Sequence, residues 1–405
     1  MNTSRKQQIF VKTKQMPTLL SKLPNVGDTI FSQMNAVANE VQAINLGQGF
    51  PDYQPDSDLL DVVCQAMMRG PNQYAPMIGV PALRQAIANK VLALQGRQYD
   101  VDQEITVTSG ASEALSASIL ALVHPADEVV LIDPAYDLYA PMVTLAGGKT
   151  VRVAMTPPGG GQSNFALDWD AIAAAINRNT RLLVLNFPHN PSGLTLRDAD
   201  LDALEQLAAQ HPFLILLDEA YEHIVFDERV YCSPVARPQL AERCVLVSSF
   251  AKTLQITGWK IGYCCAPAAI SKEIRKVHQY MVFSVNTPLQ QGIATYLSQS
   301  NATQTLSPLY QRKRDRLVQG LSKTRLQPLR CEGTFFLLVD TSKLGDQQER
   351  QMAIRLAREA GVATIPVSAF YENPQAAEAN HQLLRFCFAK QDATLDAAIE
   401  RLSVL

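Results

Sequence analysis

In the run Val247-Ser248-Ser249-Phe250-Ala251-Lys252-Thr253 a lysine follows an apolar stretch and two hydroxyl residues. An amine sheltered at a strand mouth loses its proton more readily than one in water and becomes a nucleophile toward carbonyl groups. Most lysines are solvated, so Lys252 by itself carries little. Its weight comes from Leu216-Leu217-Asp218-Glu219-Ala220-Tyr221, in which Asp218 stands 34 residues upstream, directly after an apolar run. A carboxylate there is partly buried and needs a cationic partner. A protonated pyridine nitrogen would serve, and the ion pair would keep such a ring an electron sink. Tyr221 could set its phenol beside the ring's 3′ oxygen. The plainer alternative is that Asp218 caps a helix.

Three further segments are of the same kind. Asn186-Phe187-Pro188-His189-Asn190-Pro191-Ser192-Gly193 follows another apolar run, with Asn190 28 residues before Asp218. Its prolines and glycine fix a rigid turn that could hold an amide at a set angle to a ligand, although an ordinary turn has the same composition. Thr108-Ser109-Gly110-Ala111-Ser112-Glu113-Ala114-Leu115 leads from Ile105-Thr106-Val107 into a helix-forming stretch. Small residues at a helix start let N–H groups approach an anion, which makes this a phosphate-cup candidate; a simply capped helix is the alternative. Arg385 lies inside the apolar run Leu383-Leu384-Arg385-Phe386-Cys387-Phe388. A bound carboxylate would partner it through a two-pronged hydrogen bond, and a buried structural salt bridge would do so equally.

These segments need a scaffold that brings them together. From about residue 104, short apolar or β-branched runs (Ile105 to Val107, Glu128 to Ile132, Thr150 to Val153, Leu182 to Leu185, Leu214 to Leu217, Val245 to Val247) alternate with stretches of helical period. Such alternation predicts an α/β domain with a mostly parallel sheet, whose ligands sit beyond the carboxyl ends of the strands. Gly110, Asp133-Pro134, Asn186 to Gly193, Asp218-Glu219 and Ser248-Ser249 all fall at those ends. Near residue 290 the pattern changes to one long helical stretch through Leu321. An apolar run (Phe335 to Val339), a helix around Arg350 to Ala360 and a run ending at Phe388 follow, which reads as a smaller α+β domain. Residues 1–45 form an expected arm that packs with the small domain, 46–290 the large domain, and 291–405 the small one. Pro157-Pro158-Gly159-Gly160-Gly161 marks a loop.

Composition narrows the class of partner. The 405 residues are 47% apolar and 18% charged, with Lys+Arg 36 against Asp+Glu 38. That balance argues against nucleic acid, and Arg312-Lys313-Arg314 reads as a solvated helix face. The 7 cysteines are an odd number with no C-x-x-C or Cys/His spacing, so neither a disulfide framework nor a metal site is expected, and a reducing cytoplasm fits. Polar residues Gln7, Gln8, Lys12 and Lys14 interrupt any secretory core near the start, and no run is long enough to span a membrane. The missing six-residue glycine fingerprint makes a nicotinamide dehydrogenase a poor fit.

The ordered set Tyr74, Gly110-Ala111-Ser112, Tyr136, Asn190-Pro191-Ser192-Gly193, Asp218 with Tyr221, Ser249 with Lys252, Lys260 and Arg385 resembles the class I aminotransferases of fold type I along almost the whole chain. Asn45-Leu46-Gly47-Gln48-Gly49-Phe50-Pro51-Asp52, Tyr74-Ala75-Pro76 and Gly258-Trp259-Lys260-Ile261-Gly262-Tyr263 are most similar to their methionine and kynurenine branch. The resemblance implies a seven-stranded sheet and pyridoxal 5′-phosphate carried on Lys252, which would also shuttle the substrate proton. Asp218 would pair with the ring nitrogen, Tyr136 stack on the ring, and Asn190 and Tyr221 bind its 3′ oxygen. Gly110, Ala111, Ser112, Ser249 and Lys260 would hold the phosphate, and Tyr74 would reach the phosphate of a neighbouring subunit, which implies a homodimer. Lys260 stands where the branch often has arginine; both bind phosphate, but lysine does so as a point charge.

Arg385, with Asn190 and the backbone near Gly49, would take the substrate carboxylate, and Phe50 would line the side-chain pocket. The implied reaction moves an amine from an apolar or aromatic L-amino acid, methionine foremost, to a 2-oxo acid in two half-reactions. Kynurenine transamination and β-elimination from cysteine conjugates are the alternatives within that chemistry, and a regulator that keeps the fold without turnover is the alternative outside it.

Overall fold

The computed structural model describes residues 19–159, 163–300 and 302–405. After α1 (Ile30–Glu40), β1 (Ile44–Asn45), α2 (Ser57–Arg69) and α3 (Pro81–Gln95), strands and helices alternate. In order they are β2 (Ile105–Thr108), α4 (Gly110–Leu122), β3 (Glu128–Asp133), α5 (Tyr139–Ala146), β4 (Lys149–Ala154) and α6 (Trp169–Ala175). Then come β5 (Thr180–Asn186), α7 (Asp198–Gln210), β6 (Leu214–Asp218), α8 (Pro238–Ala241), β7 (Cys244–Ser249), α9 (Phe250–Thr253) and β8 (Gly262–Cys265). Helices α10 (Ala268–Met281), α11 (Thr287–Gln299) and α12 (Ala302–Leu321) lead to β9 (Gln327–Pro328), β10 (Phe336–Asp340) and α13 (Glu349–Glu359). The chain closes with β11 (Val362–Ala363), β12 (Ile365–Pro366), β13 (Leu383–Cys387) and α14 (Asp392–Leu402).

β2 to β8 form one seven-stranded sheet in the order β2-β8-β7-β6-β5-β3-β4. All its strands run the same way except β8, which pairs antiparallel with both neighbours. The central strands are buried on both faces, as a helix-covered parallel sheet requires. Successive residues serve different cores: Leu183, Leu185, Ile215, Leu217 and Leu246 belong to one apolar cluster, while Leu182, Val184, Leu216, Val245 and Val247 belong to another. The period-two geometry of a strand produces this split.

A third core gathers Met34 and Ala38 of α1 with Leu306, Tyr310, Phe335, Met352, Leu384 and Leu395. It is built on the four-stranded sheet β12-β13-β10-β9 and on β1 paired with β11. Ile293 and Tyr296 of α11 pack in the large-sheet core, whereas Leu306 of α12 packs in this third one, so the change of core falls between them.

Two differences from the sequence reading have local causes. The long helical stretch expected from about 290 to Leu321 is two helices, because Ser300 takes an extended backbone (φ −125°, ψ 152°) that ends α11. The seventh strand of the sheet is β8, within a segment that the sequence marked for its motif and not as a strand. The loop expected at Pro157 to Gly161 and the expected arm, residues 1–45, both lie partly outside the described residues.

Candidate active site

Because β2, β3, β5, β6 and β7 run in one direction, their carboxyl ends share one rim. A cavity of about 270 Å³ opens there, and Gly49, Gly110, Ala111, Ser112, Tyr136, Asn190, Asp218, Tyr221, Ser249, Lys252, Lys260 and Arg385 all line it. Phe50 and Tyr74 do not. Phe50 lies beneath the Lys390 ammonium, 4.8 Å from its ring, and Tyr74 is 83% exposed and packs edge-on against Phe283.

Asp218 ends β6 and starts no helix. It is buried; Tyr139 donates its hydroxyl to Oδ2 at 2.7 Å, and the Ala220 N–H donates to Oδ1 at 3.3 Å. Burial raises its pKa; these two bonds and the charge of Lys252 oppose the rise. Among the described residues no side-chain cation lies within 4 Å of it. Asn186, at the end of neighbouring β5, accepts the Asn190 N–H at 3.0 Å and donates to the Asp218 carbonyl at 2.8 Å, which ties the two strand ends together.

Lys252 projects from the one-turn helix α9, whose cap is Ser249. Its ammonium donates to the Gly49 carbonyl at 2.9 Å and lies 5.1 Å from the Phe335 ring. Burial lowers its pKa to about 8, so a sizeable fraction of the amine is neutral near physiological pH.

The start of α4 is a cradle. No side chain caps it; Glu113 folds back to accept the Ser109 N–H at 2.8 Å. The next three N–H groups, of Gly110, Ala111 and Ser112, have no acceptor within their own helix. Lys260 arches over them, 3.4 Å from the Ser112 hydroxyl, in a left-handed conformation (φ 56°). Glycine is required below it: a Cβ on Gly262 would stand 2.6 Å from the Ala111 nitrogen.

Arg385 on β13 is buried. One terminal nitrogen donates to Asn190 Oδ1 at 2.6 Å and the other to the Gly47 carbonyl at 3.0 Å, while Nε has no partner. The guanidinium stacks 3.8 Å from the Phe336 ring centroid, with Phe31 and Phe370 each 5.2 Å away. Burial brings its pKa down to about 10, which leaves it cationic at neutral pH. Among the described residues no carboxylate lies within 4 Å, so the buried salt bridge that the sequence allowed is not formed.

One cavity thus holds a carboxylate without a cation and a guanidinium without an anion among the described residues, a partly neutral amine, and N–H groups with no acceptor in their own helix. The family model for aminotransferase class I and II matches residues 41–402. The chain belongs to the class I and II aminotransferases. It is 50% identical to the methionine aminotransferase of Escherichia coli (strain K12), over 95% of this chain and 98% of that one. An Escherichia coli crystal structure reported to identify a methionine aminotransferase function superposes with a TM-score of 0.92 at 49% identity, covering 96% of this chain and 100% of that chain. The N-succinyldiaminopimelate aminotransferase of Mycobacterium tuberculosis gives 0.91 at 39% identity, with 96% and 100% covered.

The fold of this aminotransferase is therefore fold type I, as the family resemblance implied. Several of its lining residues escaped the sequence reading. Tyr139, which holds Asp218 from behind the lining, also went unmarked, although it stands only three residues after Tyr136, at the start of α5. Phe31 and Phe336 line the cavity and sit in segments with nothing chemical to mark them, while Leu115 and Thr257 line it within or beside marked segments without a role of their own.

Proposed function

We propose that this aminotransferase moves the amino group of an apolar L-amino acid, methionine foremost, to a 2-oxo acid, using pyridoxal 5′-phosphate. The observation that carries the reading is the pairing of deficits in one cavity: Asp218 has no cation, and Arg385 has no anion. A phosphorylated pyridine fits the first deficit and the α4 cradle together, and a substrate α-carboxylate fits the second. When bound, the cofactor supplies an electron sink for the carbanion left when the substrate Cα gives up its proton.

The chain's residues do the rest. Asp218, its position fixed by Tyr139 and Ala220, keeps the ring nitrogen protonated. Asn190 and Tyr221 would hold the ring's 3′ oxygen, Tyr136 would cover the ring, and Gly110, Ala111, Ser112, Ser249 and Lys260 would take the phosphate. Lys252 would carry the cofactor, and its amine would move the proton at the substrate Cα as a general base and acid. Arg385 and Asn190 would orient the carboxylate with the Gly49 backbone beside them, and the rings of Phe31 and Phe336, packed on the guanidinium, exclude water around that ion pair. Phe50 stands outside that wall and would contribute from its rim.

Two copies form the working unit in this reading. Met67, Met68, Tyr74, Tyr280, Met281 and Phe283 are all exposed, gathered at the carboxyl ends of α2 and α10 and the segments that follow. Apolar area of that kind is suited to burial against a second copy, where Tyr74 would reach the partner's phosphate. The 7 free cysteines, 5 of them buried, accord with a reducing cytoplasm.

Initial rates with methionine, phenylalanine, kynurenine and aspartate, each with a common 2-oxo acid, test the substrate. Methionine should give the highest kcat/KM and aspartate the lowest; a preference for aspartate would overturn the apolar reading.

A further inference from the structure

Helix α10 buries His278 completely. Its two ring nitrogens face two acceptors: Nδ1 lies 2.8 Å from Glu113 Oε1, and Nε2 lies 2.9 Å from the Met77 carbonyl. A neutral imidazole has a single N–H, so both contacts are hydrogen bonds only if the ring is cationic or Glu113 holds the extra proton. The other oxygen of Glu113 accepts the Ser109 N–H at 2.8 Å. A continuous line therefore runs from Ser109 through Glu113 and His278 to Met77.

The two ends of this line serve different places. At one end is the start of α4, whose N–H groups face the cavity. At the other is the segment that carries Tyr74. That segment is also held by Thr287, which donates to the Gln73 carbonyl at 2.6 Å, and by Ser284, which donates to the Ala75 carbonyl at 3.0 Å. Neither of those bonds reaches α4.

We propose that His278, as an imidazolium, is a positioning residue that ties the phosphate-binding start of α4 in one protomer's site to the segment presenting Tyr74 to the partner's site. The proposal rests on the reading of the dimer and of Tyr74 given above. It makes cofactor retention at both sites depend on one buried ion pair in each chain.

The surroundings of the ring favour the cation. Burial disfavours it, but the hydrogen bond and charge of Glu113 and the Met77 carbonyl outweigh that, and the pKa is raised; Arg275 on α10 itself works the other way. Cys264 of β8, also within reach of Glu113, is neutral because burial pushes its thiol up to about 12. A raised pKa means that the link is intact below the ordinary histidine range and is lost as pH rises through the folded-state value.

The test is the rate at which the holoenzyme releases pyridoxal 5′-phosphate on dilution, read from the loss of visible absorption at a series of pH values. Wild type should release slowly at low pH and faster as His278 deprotonates. His278→Gln, which offers one donor and one acceptor at every pH, should release about tenfold faster at neutral pH and lose that pH dependence. Glu113→Gln keeps the packing and should flatten the profile in the same way, which covers the case in which His278→Gln fails to fold.

A profile for both variants that superposes on wild type overturns the proposal. Tyr74→Phe, measured alongside, separates the two layers of the argument. If it speeds release while the His278 and Glu113 variants do not, the coupling is wrong and the dimer reading stands. If it has no effect, the role given to Tyr74 falls and takes the coupling with it.

Discussion

Lys252 can attack a carbonyl only while its amine is neutral, and its depressed pKa of about 8 sets where that occurs. The rate at which the apoprotein takes up pyridoxal 5′-phosphate should therefore rise with pH through about 8 and level off above it, followed by absorbance after mixing. Lys252→Ala should lower transamination by at least about 100-fold, the scale of a lost general acid–base group. Tyr139→Phe removes the shorter of the two bonds to the buried Asp218 carboxylate. Leaving a buried acceptor short of a partner costs about 1–3 kcal/mol, so kcat/KM should fall by roughly tenfold or more, with circular dichroism unchanged. Lys252, Asp218, Asn190 and Arg385 were legible in the sequence because each is a polar or charged group set in or after an apolar run, where only a partner makes it tolerable. Phe31 and Phe336 were not, because an aromatic ring in an apolar context is ordinary core until its neighbours are known.

At the scale of elements, the site depends on how closely β8 approaches α4. Gly262 pairs with Thr108 and Ser249 across the sheet, and the space for its missing side chain is occupied by the backbone of Gly110 and Ala111. Gly262→Ala should push the strand and the helix start apart and weaken pyridoxal 5′-phosphate binding by about tenfold or more, measured by titration of the apoprotein. The alternation of apolar strands and helices was readable from residue 104 because buried parallel strands carry long β-branched and aliphatic runs. β8 was harder to read. It is short, and its glycine and adjacent cysteines carry little strand signal; its place in the sheet comes from pairing antiparallel with β7 just before it and with β2, far away in sequence. The break at Ser300 carries a weaker signal: Ser298, Ser300 and Asn301 favour a turn and a new helix start, but no glycine or proline enforces the stop.

At the scale of the whole molecule, the proposed dimer would cover the exposed methionines and aromatics at the ends of α2 and α10. Met68→Lys, at a side chain 80% exposed, should shift the protein toward monomer in sedimentation velocity without lowering its helix content. Composition and charge argued against broad classes of partner but did not locate the surface proposed for a second copy, since exposed apolar residues are identified only once the fold separates them from the core. The claim beneath all of this is that the cavity carries pyridoxal 5′-phosphate and exchanges amino groups through it. The most direct measurement is the absorption spectrum of the purified protein between about 300 and 500 nm, before and after methionine and then a 2-oxo acid are added. A visible band that bleaches with methionine and returns with the 2-oxo acid is the predicted result; a protein that shows no such band even after incubation with pyridoxal 5′-phosphate would contradict the account.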